Sequence, residues 1–374
     1  MKIFPFSVFA AFFLGNITNP TFGQNRRQLQ QGLDSVFTAM FSQSEPGGSI
    51  FIQQHDTVLY ASSFGLANLD TGEPFTSGSV CNLGSISKTF VAYAILMLEK
   101  EGKLNLDDPI IQYFRGFQHK ETVSKVTIRH LLTHTSGLPD SRQTTTDSIF
   151  YLTAKDAENF EPILATQQLE FEPGSQWKYS NPAYNGLALI IEKVTGKPWQ
   201  QYVQQNIIDA SGMRRSTITD GLHPEKGVAH GYRYMENRWQ EYDYGEYPTF
   251  AAAGNGGVWS SIDDLRKYAA AIEHCTFTDC QTIAKAQTTV RPANWSLERD
   301  PWHGLAWFVH PSYLYNSGLN DKLRVIEHAG DQGGFRTHLL RIPGVHLTII
   351  WITNNEMILT PAIWNLLKKY DYVW

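Results

Sequence analysis

The chain has 374 residues, of which 42% are hydrophobic and 18% charged, and this composition predicts a globular protein with a large core rather than a disordered chain. Its formal net charge is -5 and no basic run stands out, so the sequence gives no support for nucleic-acid binding. The length fits one large α/β enzyme or a few smaller units.

The first 23 residues have the order of regions of a secretory signal peptide. Lys2 precedes an apolar run over residues 3–14, and small residues precede the expected cleavage point after Gly23. An uncleaved anchor is the alternative. No later apolar stretch reaches the roughly 20 residues that a membrane-spanning helix needs. We therefore expect residues 24–374 to be exported, as a periplasmic or secreted domain without a stable membrane span.

Strand patterns occur near both ends of the chain. Two β-rich runs, over residues 48–53 and 57–62, predict an antiparallel hairpin. Further strands and a closing helix are expected over residues 304–309, 323–328, 335–341, 345–351 and about 357–369. This order predicts an α/β (α+β) fold, in which N- and C-terminal strands form one antiparallel sheet flanked by helices. We expect a sheet lobe over about 30–105 and 260–374, an inserted mostly helical lobe over about 106–259, and a site in the cleft between them.

The central stretch of the chain is a predicted buried helix over about residues 85–101. Its apolar residues recur at helical spacing, and Gly102 follows the last turn. Ser85 and Lys88 are three residues apart and so share one face of the first turn. A buried amine at the positive end of a helix favours its neutral form, which can activate a neighbouring hydroxyl as a nucleophile. The alternative is a capping serine beside a solvated lysine, because Ser-x-x-Lys also occurs by chance.

Two further short patterns are candidate partners of this pair. Tyr179-x-Asn181 precedes a predicted helix, with Asn181 as its expected N-cap, Pro182 at its first position and Gly196 at its end. The alternative is that Asn181 only caps the helix and Tyr179 is a half-buried aromatic. His328-x-Gly330 ends a predicted strand before further glycines, and such a strand lets backbone approach a ligand closely. Taken alone, it is only a strand with a glycine turn.

In this order, Ser85-x-x-Lys88, Tyr179-x-Asn181 and His328-x-Gly330 resemble the three elements of the serine β-lactamase and penicillin-binding protein superfamily. The tyrosine form is similar to the branch with class C β-lactamases, D-alanyl-D-alanine carboxypeptidases and esterases. Residues 130–138 and 254–261 also resemble this family, and the resemblance covers roughly residues 30–370. It implies a β-lactamase/transpeptidase-like fold and a serine hydrolase.

The resemblance also implies roles for individual residues. Ser85 would attack a carbonyl and become acylated, while Lys88 and Tyr179 share the general-base role and then protonate the leaving group. Asn181 would hold the substrate amide or the Lys88 amine. The backbone N–H groups of Ser85 and Asp331 would stabilise the oxyanion.

His328 and Gly330 would border the bound substrate on the strand. The expected partner is a small-molecule or peptide acyl substrate with an ester, amide, D-alanyl peptide or β-lactam bond, and no metal or cofactor is implied. The oligomeric state stays open. A non-catalytic or slow-turnover sensor that binds penicillin or peptidoglycan peptides is the alternative function.

One position departs from the family pattern. Asp331 follows His-x-Gly where penicillin-recognising members often have a small or hydroxyl residue. Penicillins and D-alanyl peptides carry a carboxylate, and an acidic neighbour would repel it unless Arg336 neutralises the pair. This favours a broader esterase or peptidase role over dedicated β-lactamase activity.

Other site classes fit the sequence less well. His130 and His134 are four residues apart, as in a metal-binding helix, but leucines lie between them where a metalloprotease has its glutamate. The Gly-x-Ser-x-Gly pattern of α/β-hydrolases does not occur. Cys275 and Cys280 could form a disulfide in an oxidising compartment, which would leave Cys81 as a small buried residue.

Overall fold

The structure is a computed structural model and describes residues 20–140, 150–242, 250–311 and 323–370. Its helices are α1 Pro20–Met40, α2 Ser87–Lys100, α3 Lys120–Val123, α4 Ile128–Leu132, α5 Phe150–Thr153, α6 Asp156–Phe160, α7 Asn181–Thr195, α8 Trp199–Val203, α9 Ala253–Gly256, α10 Ile262–Glu273, α11 Cys280–Ala286 and α12 Thr360–Lys369. Its strands are β1 Gly48–Gln54, β2 Thr57–Phe64, β3 Leu66–Asn68, β4 Glu73–Pro74, β5 Cys81–Asn82, β6 Thr217–Ile218, β7 Tyr232–Met235, β8 Arg238–Glu241, β9 Val258–Ser260, β10 Phe308–Pro311, β11 Arg324–Gln332, β12 Phe335–Ile342 and β13 Leu347–Thr353.

Six strands form one antiparallel sheet in the order β10-β11-β12-β13-β1-β2. The strands β1 and β13 are neighbours, with Gly48 opposite Thr353, so the two ends of the chain meet in the middle of the sheet. The predicted hairpin is present as β1 and β2. The prediction of one antiparallel sheet built from N- and C-terminal strands is therefore confirmed.

Both faces of this sheet are covered. Along β13, Ile349 and Trp351 pack with α1 and α12, whereas Ile350 and Ile352 belong to the larger core that contains α2 and α10. Alternate residues of a strand point to opposite faces, so a strand buried on both sides is apolar at nearly every position. This explains the continuous apolar run from which β13 was predicted.

The strand β10 begins later than predicted. Residues 304–307 form a turn, in which the Gly304 N–H donates to the Trp307 carbonyl at 2.9 Å and Ala306 has a φ of 70°. Leu305, Ala306 and Trp307 are all buried, so the apolar run reflects a buried turn. A short apolar run does not by itself distinguish these two structures. The closing helix also begins later than expected, at Thr360.

The predicted central helix is present, preceded by a 3-10 turn over Gly84–Ile86. Three of its aromatic and aliphatic side chains, Phe90, Tyr93 and Ile95, have no exposed surface. The main core of the protein therefore surrounds α2, and its first turn is fixed from several directions.

The region between residues 106 and 259 holds α3 to α9, as the prediction of a mostly helical lobe required. It also carries the hairpin β7–β8, and its strands β6 and β9 pair with β5 in a small sheet of order β5-β9-β6. The lobe boundaries stay a prediction. Of the expected signal segment, residues 1–19 lie outside the described residues and its last four begin α1. Within the described ranges, no helix has the length and apolarity needed to cross a membrane.

Two local predictions can be compared directly with the structure. Cys275 and Cys280 are joined by a disulfide, and Cys81 is a buried free thiol whose pKa is raised by burial. The expected N-cap of α7 was wrong by one residue. Ser180 is the cap, and its hydroxyl accepts from the Ala183 N–H at 3.2 Å, so Asn181 is the first helical residue. Serine and asparagine are comparable caps, and sequence did not decide between adjacent ones.

Candidate active site

The 3-10 turn over Gly84–Ile86 leads directly into α2 and brings Ser85 and Lys88 together. Lys88 has no exposed surface, and its Nζ donates to Ser85 Oγ at 3.0 Å and to the Asn255 carbonyl oxygen at 2.7 Å. A buried ammonium is costly, so a lysine held in this way is poised to exchange a proton with its hydroxyl neighbour. The separation of three residues between Ser85 and Lys88 therefore corresponds to a direct hydrogen bond between their side chains.

The backbone around Ser85 is held by one local polar contact and two from distant parts of the chain. The Gly84 N–H donates to Asn82 Oδ1 at 2.7 Å, and Ser87 Oγ accepts from the Val258 N–H at 3.0 Å. Thr337 Oγ1 of β12 donates to the Leu83 carbonyl at 2.9 Å. These contacts leave the Ser85 turn little freedom to move, which is what a preorganised nucleophile requires.

Tyr179 lies beside this pair, as the sequence predicted. Lys88 Nζ is 5.1 Å from the centroid of the Tyr179 ring, and Tyr179 lines the same cavity as Ser85. The ring of His134 packs against Tyr179 with centroids 4.4 Å apart, and its Nδ1 accepts from the Ser180 N–H at 3.1 Å. His134 therefore supports the segment that carries Tyr179, a role that its spacing from His130 did not indicate.

The imidazole of His134 is neutral near pH 7. Burial, followed by the charges of His303, Lys88 and His328, holds its pKa well below the usual value. His130 points elsewhere, with Nδ1 at 3.2 Å from Thr127 Oγ1. Among the described ranges, no group of three histidine, cysteine or acidic side chains is arranged to hold a metal ion.

Strand β11 approaches the Ser85 turn closely through Gly330. A Cβ atom on Gly330 would overlap the Leu83 carbonyl oxygen and Thr337 Oγ1. On the other side, a Cβ on Gly84 would lie 2.8 Å from the backbone nitrogen of Asp331. Glycine at both positions therefore lets the backbone of Ser85 and of Asp331 come together, as two donors to one oxyanion require.

His328 is 2% exposed and lines the cavity next to Gly330. Burial, and then the charge of Lys88, lowers the pKa of its imidazole to about 3. Its Nδ1 lies 2.7 Å from the Ala329 carbonyl oxygen, which can only accept, so Nδ1 carries the hydrogen. Nε2 is buried without a hydrogen-bond partner among the described residues.

The charge of Asp331 is balanced, as the sequence analysis required for any carboxylate-bearing substrate. Its side chain is 69% exposed and pairs with Arg336 at 2.7 Å. Arg336 also lies 3.5 Å from Glu356, which in turn is 3.2 Å from Arg233. Arg336 is thus shared between two carboxylates and is not an uncommitted cation.

Two cavities meet at the candidate nucleophile, and Ser85 and Asp331 line both of them. The smaller, about 120 Å³, is polar and includes Asn181, Asp140 and Asn255. The larger, about 510 Å³, is lined by Ser85, Tyr179, Phe308, Glu327, His328, Ala329, Gly330, Asp331, Arg336, Thr337, His338, Trp351, Ile358, Thr360 and Pro361. Asn181 therefore borders the site, but none of its hydrogen bonds within the described residues reaches Lys88.

A polar network in the larger cavity was missed in the sequence. His338 Nε2 lies 2.7 Å from Glu327 Oε2, and His338 Nδ1 lies 2.7 Å from Thr360 Oγ1. His310 Nε2 contacts the other oxygen of Glu327 at 3.1 Å. The only signal was polar residues within otherwise apolar strands, and it does not show which of them meet. Glu327 and His338 of this cavity are therefore already engaged with each other.

The chain is similar to known proteins over most of its length. The family model described as Beta-lactamase matches residues 26–357. Penicillin-binding protein 4* of Bacillus subtilis (strain 168) is 29% identical over 349 residues, which is 89% of this chain and 73% of that protein. Esterase EstB of Burkholderia gladioli is 28% identical over 292 residues, which is 68% of this chain and 73% of that protein.

A solved structure gives the same result for the fold. The octameric penicillin-binding protein homologue from Pyrococcus abyssi superposes with a TM-score of 0.75 at 25% identity, covering 92% of this chain and 76% of that one. The matched residues include the first turn of α2, the start of α7 and strand β11, which carry the three sequence elements.

Proposed function

The chain belongs to the beta-lactamase family of serine hydrolases, and we propose that Ser85 is its nucleophile and that Lys88 and Tyr179 transfer the proton. The observation that carries this assignment is the 3.0 Å contact between Ser85 Oγ and the fully buried Nζ of Lys88. An amine at this distance can take the hydroxyl proton as the oxygen attacks a carbonyl.

The remaining steps follow from the groups around this pair. The backbone N–H groups of Ser85 and Asp331 stabilise the oxyanion, and a donor of this kind typically contributes about 3 kcal/mol to the transition state. Tyr179 then delivers a proton to the departing alcohol or amine. Collapse of the tetrahedral intermediate leaves an ester on Ser85 Oγ, and water, deprotonated by the same two groups, hydrolyses it.

The arrangement of the cavities assigns a side to each half of the substrate. Since Ser85 and Asp331 line both cavities, the reacting carbonyl carbon sits where the cavities meet. Tyr179, the proposed proton donor to the leaving group, lines only the larger cavity. The leaving group therefore enters the larger cavity and the acyl group enters the smaller polar one, where Asn181 can bind it.

The charges of the larger cavity favour an uncharged leaving group. Arg336 is the only lysine or arginine among its described lining residues, and it is committed to Asp331 and Glu356. His328 is neutral. Ile358, with 62% of its surface exposed, adds apolar area. We therefore favour hydrolysis of esters or amides with apolar leaving groups over bonds whose leaving-group side carries a carboxylate.

This preference can be tested with Asp331→Asn. We expect the wild-type protein to hydrolyse p-nitrophenyl acetate faster than it is acylated by a fluorescent penicillin. Removing the carboxylate should raise penicillin acylation relative to ester hydrolysis by up to about fivefold, the size expected for an exposed charge. Labelling rates by gel fluorescence and ester rates by absorbance give this ratio.

Asp56→Asn, at the turn between β1 and β2, is the matched control and should leave the ratio unchanged. An unchanged ratio in the Asp331 variant would contradict the assignment of the leaving-group side. A penicillin adduct that is stable for hours, without ester turnover, would instead support the sensor function. Lack of both reactions would contradict the hydrolase proposal itself.

Export is the second part of the proposed function. It is supported by the order of regions in residues 1–23 and by the Cys275–Cys280 disulfide, since disulfides persist mainly in oxidising compartments. We expect cells that produce the full chain to release a protein beginning at Gln24. N-terminal sequencing of the periplasmic and secreted fractions measures this, and full-length protein found only in the cytoplasm would contradict it.

A further inference from the structure

Asp156 is a buried carboxylate at the start of α6 that contacts none of the proposed reacting groups. It is 6% exposed and accepts three hydrogen bonds from three different elements. The Gly254 N–H donates to Oδ1 at 2.8 Å, Asn185 Nδ2 donates to Oδ1 at 2.5 Å, and Trp199 Nε1 donates to Oδ2 at 2.9 Å. A carboxylate with this many partners fixes the groups that donate to it.

These contacts lead to Lys88 by two routes through helix α9. Asn185 Oδ1 accepts from Asn255 Nδ2 at 3.0 Å, so the side chain of residue 255 is held by a residue that Asp156 holds. The backbone of the preceding residue, Gly254, is bound by Asp156 directly. The Asn255 carbonyl oxygen is the acceptor of Lys88 Nζ at 2.7 Å.

Neighbouring atoms pack tightly around Gly254 in helix α9. A Cβ atom on Gly254 would lie 2.8 Å from the Ala188 Cβ, 2.9 Å from the Tyr184 carbonyl oxygen and 3.1 Å from Asp156 Oδ1. The residue that precedes the Lys88 acceptor therefore lies between helix α7 and the Asp156 carboxylate. Displacement of either support would move the acceptor, and with it the amine.

We propose that Asp156 is a positioning residue, which sets the Lys88 amine against Ser85 by holding the carbonyl of Asn255 in place. The proposal rests on the proposed function, because it concerns the amine that activates Ser85. It does not make Asp156 a catalytic residue, since its carboxylate touches neither Lys88 nor the cavity lining.

The ionised form of Asp156 is the one that suits this role. All three partners are N–H donors, so a protonated oxygen would lose one of them. Burial raises the pKa of Asp156 to about 7, hydrogen bonds from Gly254, Asn185 and Trp199 oppose the rise, and Glu192 of α7 adds to it. The cation next to it in sequence, Lys155, pairs with Asp220.

The expected effects of pH on activity and on stability have opposite signs. Below about pH 7 Asp156 gains a proton, helix α9 loses a contact, and we expect kcat to fall. Because the pKa of Asp156 is higher in the folded than in the unfolded state, protonation of Asp156 favours the folded state. This contribution to stability is fully present below the unfolded-state pKa and is lost as the pH rises through the folded-state pKa. Between these two pKa values, lowering the pH should therefore reduce kcat and increase stability. A residue with a purely structural role would not produce both effects together.

The test is Asp156→Asn, which keeps the shape of the side chain but places an NH₂ group against one of the three N–H donors. With p-nitrophenyl acetate, we expect kcat to fall roughly 10- to 100-fold with KM unchanged, as misplacement of a reacting group predicts. The fall in kcat on the acid side of neutrality should also disappear. Steady-state rates from about pH 5 to about pH 9, with Tm measured at each pH, provide these readouts.

Asp264→Asn is the matched control. Asp264 is 1% exposed and likewise accepts three hydrogen bonds, from the Arg215 N–H at 2.6 Å, Ser216 Oγ at 2.9 Å and Lys267 Nζ at 2.7 Å. None of these leads to Lys88. This variant should lower Tm and keep the wild-type pH profile of kcat.

Trp199→Phe provides a second measurement if Asp156→Asn does not fold. It removes one hydrogen-bond donor to the Asp156 carboxylate, which raises the pKa of that carboxyl. The fall in kcat at acidic pH should therefore begin about one pH unit higher. The proposal is overturned if Asp156→Asn keeps both the acid limb and a kcat within about twofold of Asp264→Asn, or if Trp199→Phe leaves the limb in place. Failure of the proposed function would appear differently, as absence of a Ser85 adduct in the wild-type protein.

Discussion

Replacing Ser85 with alanine is expected to lower kcat/KM for p-nitrophenyl acetate by about 10⁴-fold and to abolish the covalent adduct, because it removes the hydroxyl that contacts the Lys88 amine at 3.0 Å and lines both cavities. Some hydrolysis above the uncatalysed rate should remain, since the backbone donors of the oxyanion site are unaffected. Intact-mass spectrometry of protein quenched during turnover detects the acyl group, and peptide mapping locates it.

Ser87→Ala is the matched control for this prediction. Ser87 is two residues away and fully buried, but its hydroxyl accepts from the Val258 N–H and lines neither of the two cavities that contain Ser85. Its replacement should cost roughly 1 kcal/mol of stability through the unpaired N–H, and should leave the adduct mass and the peptide that carries it unchanged. An adduct on any residue other than Ser85 would refute the assigned nucleophile.

Replacing Lys88 with methionine is expected to reduce the acylation rate by about 10²- to 10⁴-fold, the contribution typical of a positioned general base. Methionine fills a similar volume without an ionisable group. Since the amine has no exposed surface, its removal also ends the cost of burying it, so the free energy of unfolding should stay the same or rise. Single-turnover acylation rates and urea unfolding measure the two effects.

Lys285→Met is the control for the loss of a lysine. Lys285 pairs at 2.5 Å with Glu99 and is 40% exposed, so this variant should keep its acylation rate and change stability little. If Lys88→Met were acylated at the wild-type rate, the proton would have to go elsewhere, and Tyr179 alone would be the candidate base. A loss of stability without a loss of rate would indicate a structural lysine.

Local sequence patterns were sufficient to predict several elements of the fold. The β1–β2 hairpin, the buried helix α2 and the αL end of helix α7 at Gly196 depend on residues close together in the chain. Ser85 and Lys88 belong to this class as well, because a separation of three fixes two side chains on one helical face. Their contact therefore followed from spacing once the helix was identified.

Other parts of the site combine residues that are far apart in sequence. The order of three short patterns indicated that Tyr179 and His328 approach Ser85, but this depended on a family resemblance and not on periodicity. The cap of α7 was misplaced because the adjacent Ser180 and Asn181 are comparable caps. The start of β10 was misplaced because a short apolar run fits a strand and a buried turn equally well. Nothing in the sequence indicated that His134 supports Tyr179.

The sequence by itself determined that Ser85 and Lys88 share one helical face, that strands form near both termini and that an acidic residue follows Gly330. Only the tertiary structure decided that Arg336 is shared by Asp331 and Glu356, that two cavities of different polarity meet at Ser85, and that hydrogen bonds connect Asp156 to Lys88 through helix α9. The physical reason is that hydrophobic spacing specifies which face of an element is buried, whereas polar contacts between elements depend on how those faces dock.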